Sequence, residues 1–250
     1  MKTALRCGLG RRGQHGQRGQ SAVEFLIIYP ALIFMLFGII QWSLIYQARA
    51  TLNHAALLAA RAGAVHHGQR SEMKKALAAG LTPLFASEPS AAGYVAARAK
   101  AFTEISVANL ASFEIVNPTP QAFADFGRPR LDAAGPAGDR ELPNDTLTYR
   151  NPAAGAASGI SVQDANLLHV RVSYCYRLIV PVVGRMIHTV SNAFTPMSHS
   201  LQAQGMSDPF GIGASPLADS CTRPLVQGPR IRIQSEAVVR MQSPFYRSNL

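Results

Sequence analysis

Apolar residues fill the stretch from Phe25 to Tyr46, 22 positions without a charge, in which Gln41 and Ser43 are the clearly polar interruptions. Wound as a helix at about 1.5 Å per residue, such a run spans roughly 33 Å, against a hydrocarbon core about 30 Å thick. An isolated segment in lipid satisfies its backbone N–H and C=O groups only as a helix, so the pattern predicts one membrane-spanning helix. The helical period continues past the run. Gln47 to Val65 contains no proline and places Leu52, Ala55, Ala56, Ala59, Ala60, Gly63 and Ala64 at three- and four-residue spacing. A continuous helix from about Ser21 to Val65 is expected, its first part in lipid and its last part on a globular domain. The small-residue stripe suits close backbone approach within or beside a membrane, and equally suits ordinary core packing.

Beyond Gly68 the periods are shorter. Ser71 to Phe85 reads as a helix up to Pro83, and Ala91 to Phe102 as a second, Ala-rich one. Ile105 to Val116 changes to β-favouring residues that alternate in S-F-E-I-V until Asn117-Pro118 stops them. Pro118 to Gly159 has six prolines, five glycines and no sustained period. Long irregular stretches of this kind are uncommon in compact domains unless they are functional surfaces or mobile insertions. The stretch reads either as a partner-binding loop, with Phe123, Phe126 and Tyr149 as apolar anchors, or as a flexible excursion, and turn chemistry in L-P-N-D-T-L-T-Y favours an ordered, packed loop. Asn166 to Val183 holds the clearest strand: Leu168, Val170, Val172 and Tyr174 fall on one face, and His169, Arg171, Ser173 and Cys175 on the other. Pro181 and Gly184 are expected to end it. A short helix from Arg185 to Phe194, a loop-rich stretch from Thr195 to Pro229 and a closing strand from Arg230 to Met241 follow.

Charge gives the molecule a direction. Lys2, Arg6, Arg11, Arg12 and Arg18 precede Gly19 with no acid among them, whereas Arg49 and Arg61 are the basic residues soon after the apolar run. Lys and Arg close to a span bias their flank to the cytoplasm, so residues after Tyr46 are expected to be exported. The formal net charge of +10 is then partly a property of the first 19 residues: without them 19 basic residues face 14 acidic ones. A nucleic-acid partner is therefore not expected. The fold class is α+β, a long N-terminal transmembrane α-helix followed by a small exported domain with short helices packed on an antiparallel sheet. Its expected divisions are a basic leader at 1–19, the transmembrane and extended helix at 20–66, and the exported domain at 67–250 with the irregular loop at 118–159.

Glu24 stands at the edge of the apolar run, where a carboxylate is costly to carry into lipid and tends to have a function. An acid at a helix start is also favoured by the macrodipole. Together with the basic residues before it, G-Q-S-A-V-E-F (Gly19 to Phe25) resembles the processing site of type IV prepilins, in which a basic leader ends in glycine and the mature chain carries Glu at its fifth position. Counted from Gln20, Glu24 is the fifth residue. The Glu24-Phe25 pair is similar to that of Flp (tight adherence) pilins, and the Pro30-containing apolar helix on a chain of this size resembles the TadE-like pseudopilins. V-R-V-S-Y (Val170 to Tyr174) followed by V-P-V-V (Val180 to Val183) is also similar to TadE-like domains.

The resemblance implies cleavage by a prepilin peptidase after Gly19, Gln20 as the new N-terminus, and an assembly role for Glu24 with Phe25, the carboxylate neutralising a terminal amine as helices pack. It implies a pseudopilin acting as a structural or assembly component of a Flp/Tad-type pilus or secretion system in the bacterial inner membrane. The implied partners are the prepilin peptidase, other pilins or pseudopilins, the inner-membrane assembly platform and the lipid bilayer. Two other fates of the N-terminus stand beside this one. Ala48-Arg49-Ala50 has the small-x-small form of a signal-peptidase site, although the apolar run exceeds the usual h-region. An uncleaved signal anchor would keep Met1 and carry a periplasmic enzyme or binding domain.

Cysteine usage fits export. Cys7 lies in the leader, leaving Cys175 and Cys221 as one pair where disulfides can form; two buried free thiols are the alternative. Catalytic patterns are weak. Gly8, Gly10 and Gly13 satisfy G-x-G-x-x-G without a preceding strand, and His54, His66 and His67 match neither H-E-x-x-H nor a zinc framework. No nucleophile elbow or P-loop is present. Neither enzymatic activity nor a cofactor or metal is expected.

Overall fold

The computed structural model describes residues 20–131, 136, 138–187, 189, 221 and 228–250, with side chains described from Val23 onward. The chain forms two compact units, 1–40 and 41–250, each taken by itself. Helix α1 (Gln20–Val65) contributes its early turns to the first unit and its later ones to the second.

In the first unit, no side chain from Val23 to Ile40 is buried. Apolar residues are exposed on every side of the helix, among them Phe25, Leu26, Ile27, Leu32, Met35, Leu36 and Ile39. Pro30 lies inside it and supplies no N–H to the Leu26 carbonyl one turn back. A helix apolar all round is stable where something other than water covers it.

In the second unit the same helix becomes the centre of a core. Ala48, Leu52, Ala55, Ala56, Ala59, Ala60 and Ala64 are fully buried, so here the small-residue stripe is core packing. Helix α2 (Arg70–Leu81) crosses it closely at Gly80, where an added Cβ would lie 2.5 Å from the Ala55 Cα. Gly63 does the same against strand and helix, facing Leu168 Cδ2 and Met73 Sδ. Helix α3 (Ala91–Ser106) is capped by Ser90, whose Oγ accepts from Gly93 N at 3.0 Å. It extends one turn beyond the helix expected from the sequence. Ile105, assigned there to a strand, is buried at the end of an Ala97–Ala101–Ile105 stripe, and its helical packing overrides its β propensity.

Strand β1 (Ala111–Asn117) is followed by helix α4 (Pro120–Phe126), with Thr119 at its N-cap and Pro120 in its first turn. Strands β2 (Arg128–Pro129) and β3 (Arg140–Leu142), helix α5 (Val162–Ala165), and strands β4 (Leu167–Arg177), β5 (Arg230–Arg240) and β6 (Phe245–Tyr246) complete the element order. Two antiparallel sheets result, β1-β4-β5 and β2-β3-β6. β4 is central to the first, and its Leu168, Val170, Val172 and Tyr174 are buried, as the alternation predicts. The strand ends at Arg177, earlier than expected, because residues 181–187 already form a helix with Pro181 in its first turn. The expected 185–194 helix therefore begins four residues sooner; residues 188 and 190–194 lie outside the described ones, as does most of 195–229.

Sequence from 118 to 159 lacks a period because its elements are too short to show one. Asp125 organises part of it: its carboxylate accepts from Ala157 N and Ser158 N. Phe123, expected as a partner anchor, is instead fully buried against Phe245 with ring centroids 6.1 Å apart. Phe126 packs partly on the core, and Tyr149 alone of the three is exposed.

The chain's last residues close the end of α1. The Ala64 carbonyl, one of the orphan acceptors of a helix C-terminus, receives Gln242 N, Ser243 N and Ser243 Oγ. His67 N donates to Ser243 Oγ at 3.0 Å, and its ring stacks on Tyr246 with centroids 4.3 Å apart. Gly68, at φ +77°, follows against the Phe245 ring, where a side chain would collide.

Candidate functional site

The sequence singles out the start of α1, and the structure defines part of that region. Gly19 lies outside the described residues, while Gln20 is the first residue of the helix. Glu24 falls in its second turn, and the first turn carries no acidic residue, so Glu24 sits beyond the stretch where the macrodipole acts most strongly. Phe25 and Glu24 are both exposed, and the Phe25 ring stacks on Tyr29 one turn on, with centroids 5.0 Å apart and planes at 24°. A carboxylate, an aromatic pair and an uncovered apolar helix thus occupy one short segment. What such a segment can do is enter lipid and pack against other helices.

Cys175 and Cys221 are joined by a disulfide that closes a separation of 46 residues, and both are buried. Cys175 belongs to the central strand, so the bridge fastens Cys221 to the sheet. Beneath it lies a polar cluster that sequence reading missed. Tyr174 Oη donates to Glu104 Oε2 at 2.6 Å, and Arg230 pairs with Glu104 Oε1 at 3.4 Å while donating to the Cys175 carbonyl at 2.9 Å. Burial, then the Glu104 charge, pushes the Tyr174 phenol well above its ordinary pKa, so it remains a proton donor. Glu104 stood just before the expected strand, at a point the structure gives to α3, and no local pattern links residues 104, 174 and 230.

A second network covers the other face of the sheet. Glu114, Arg171 and Glu236 are cross-strand neighbours on β1, β4 and β5. Arg171 bonds Glu236 at 2.6 Å and Glu114 at 3.1 Å, and His169 reaches Glu236 at 2.9 Å. The alternation of β4 had placed His169 and Arg171 on this face, but their acidic partners come from other strands. Among the described residues no group of His, Cys, Asp or Glu has the arrangement of a metal site. An open groove of about 620 Å³ is lined by Leu84, Phe85, Thr103, Tyr174 and Ile179 among others, with Glu104 at its wall.

These features define a class: one N-terminal apolar helix that fits a single-pass membrane anchor, continued by an α+β unit. The chain carries a TadE-like domain, the TadE-like protein family model matching residues 19–61, which is the segment containing Glu24, the apolar run and the first part of the small-residue stripe. Over that segment the chain is similar to a family of pilus components, which associates it with Tad pili as a membrane protein and points to other pilus components as partners. The match ends before V-R-V-S-Y and V-P-V-V, which stand outside it. No curated protein and no solved structure matches the chain.

Proposed function

We propose that the chain is a pseudopilin of a Flp/Tad-type pilus or secretion system, made with a basic leader and matured by a prepilin peptidase that cuts after Gly19. The observation that carries this reading is the uncovered apolar helix of residues 23–40 with Glu24 four residues after Gln20, inside the segment matched as TadE-like. Cleavage would leave the Gln20 amine one helical turn from the Glu24 carboxylate of a neighbouring or the same helix. In lipid an unpaired amine or carboxylate is expensive, so the two neutralise each other best when helices pack in register. The basic leader keeps the N-terminal flank cytoplasmic, and the 41–250 unit is exported, in a compartment that permits its disulfide.

The test is the mature N-terminus by mass spectrometry, in cells with and without the peptidase. Gln20 is the expected first residue, and Gly19→Val is expected to leave the leader attached. Glu24→Ala is expected to be cut normally but to support little piliation. A mature chain beginning at Thr51 or retaining Met1, or full piliation with both variants, refutes the proposal.

A further inference from the structure

The apolar run contains one buried polar side chain, and its partner is unexpected. Gln41 is fully buried, and its Oε1 accepts a hydrogen bond of 2.8 Å from the backbone N of Val180, 139 residues away in sequence. A glutamine amide facing hydrocarbon would be costly; this contact gives its oxygen a donor. It also brings the segment around Val180 to the level of Gln41. If the span starts at Phe25, about 20 residues cross a core of about 30 Å and the far boundary falls near Leu44, with Gln41 some 4.5 Å inside it. Rather than leaving α1 alone there, the fold sets a second piece of chain beside it.

That piece is apolar on its outer side. Ile179, Val182 and Met186 are 61%, 68% and 54% exposed, while Val183 and Gly184 face inward. On α1, Trp42 and Tyr46 are 63% and 73% exposed, the residue types that collect at the membrane–water boundary. Arg177 and Arg185, both exposed, flank the patch with long side chains able to keep their charge in the headgroup layer. Amphipathic segments lie in the interface with their apolar face about 5–10 Å deep, and the depth of about 4.5 Å for Gln41 is close to the shallow end of that range.

Building on the membrane-anchor reading, we propose that residues 179–186 form a second membrane contact, seated in the lipid interface beside the point where α1 leaves the hydrocarbon. The occupant of this apolar face is the bilayer itself, because Gln41 ties it to a part of the run already at bilayer depth. The exported unit is thereby held against the membrane at two places. Gln41 is the positioning residue.

Nitroxide labels test the depth. The full chain, with Cys7→Ser and the 175–221 bridge intact, takes a label at Val182→Cys, Met186→Cys, Leu36→Cys or Tyr149→Cys and is reconstituted in nanodiscs of zwitterionic and anionic phospholipid. The ratio of oxygen to nickel-chelate accessibility reports lipid exposure. The expected result is a ratio at 182 and 186 several-fold above that at 149 and below that at 36, which lies deeper in the hydrocarbon. A lipid-exposed 36 with a water-exposed 182 and 186 overturns this inference and leaves the anchor standing. Labels at 182 and 186 shielded from both reagents point to a protein partner and overturn it equally. A water-exposed 36 overturns the anchor itself, and the second contact with it.

Discussion

Gly80→Ala tests the packing of α1 against α2, because its sign separates two physical effects. In a helix facing solvent, replacing Gly by Ala stabilises by about 1 kcal/mol through backbone entropy. At Gly80 the new Cβ would sit 2.5 Å from the Ala55 Cα, 2.7 Å from the Ala55 Cβ and 3.3 Å from Leu58 Cδ1. Comfortable carbon contacts are about 3.5–4.0 Å, so two helix backbones must part by about 1 Å in a core with no slack. Overpacking of this kind costs about 1–3 kcal/mol, leaving a net destabilisation of up to roughly 2 kcal/mol after the propensity gain. For a unit of this size that lowers Tm by up to about 8 °C. Gly63→Ala should cost less, since its closest neighbours are the tips of Leu168 and Met73, which can rotate, rather than backbone. Thermal unfolding of the purified full chain in detergent, followed by circular dichroism, measures both. A Gly80→Ala protein with a raised Tm, or one less perturbed than Gly63→Ala, would refute the close crossing.

Reducing the Cys175–Cys221 bridge, which spans 46 residues, should destabilise the 41–250 unit by about 4 kcal/mol on the chain-entropy estimate, and an unchanged melting curve in reductant would contradict this. Tyr174→Phe removes the donor to Glu104 and should cost about 1–2 kcal/mol, measurable as a lower Tm; the wild-type value would show that water replaces the phenol without loss. Hydrogen bonding by Arg171, then by His169, holds the Glu236 carboxyl below its ordinary pKa. A depressed carboxylate contributes stability above its unfolded pKa of about 4.3 and loses it as pH falls through the folded value. Stability should therefore decline below about pH 4, and Glu236→Gln should flatten that part of the profile.

Legibility in the sequence followed the length of each pattern. β4 carries a long, strict period, and its faces were readable residue by residue; α1 and β5 were readable as elements. Ile105 was misread because β propensity is a weak guide where a helix offers a buried site. Strands β2, β3 and β6 have two or three residues each, too few to alternate, so a whole sheet was invisible. Phe123 looked like a surface anchor because its loop seemed patternless, yet its ring meets Phe245, 122 positions on. Separations of 70 and 139 positions likewise hid Glu104 from Tyr174 and Gln41 from Val180.

The amino-acid sequence by itself determined the one-helix anchor, its charge asymmetry, the acid at its edge and the α+β class, since each depends on residues near one another in the chain. Tertiary structure decided which half of the small-residue helix is core, how the chain's last residues cap it, and where its buried polar groups find partners. Hydrophobic periodicity is a local property and hydrogen-bond satisfaction is a global one: a glutamine in an apolar run is an anomaly until folding brings a backbone N–H to it from 139 residues away.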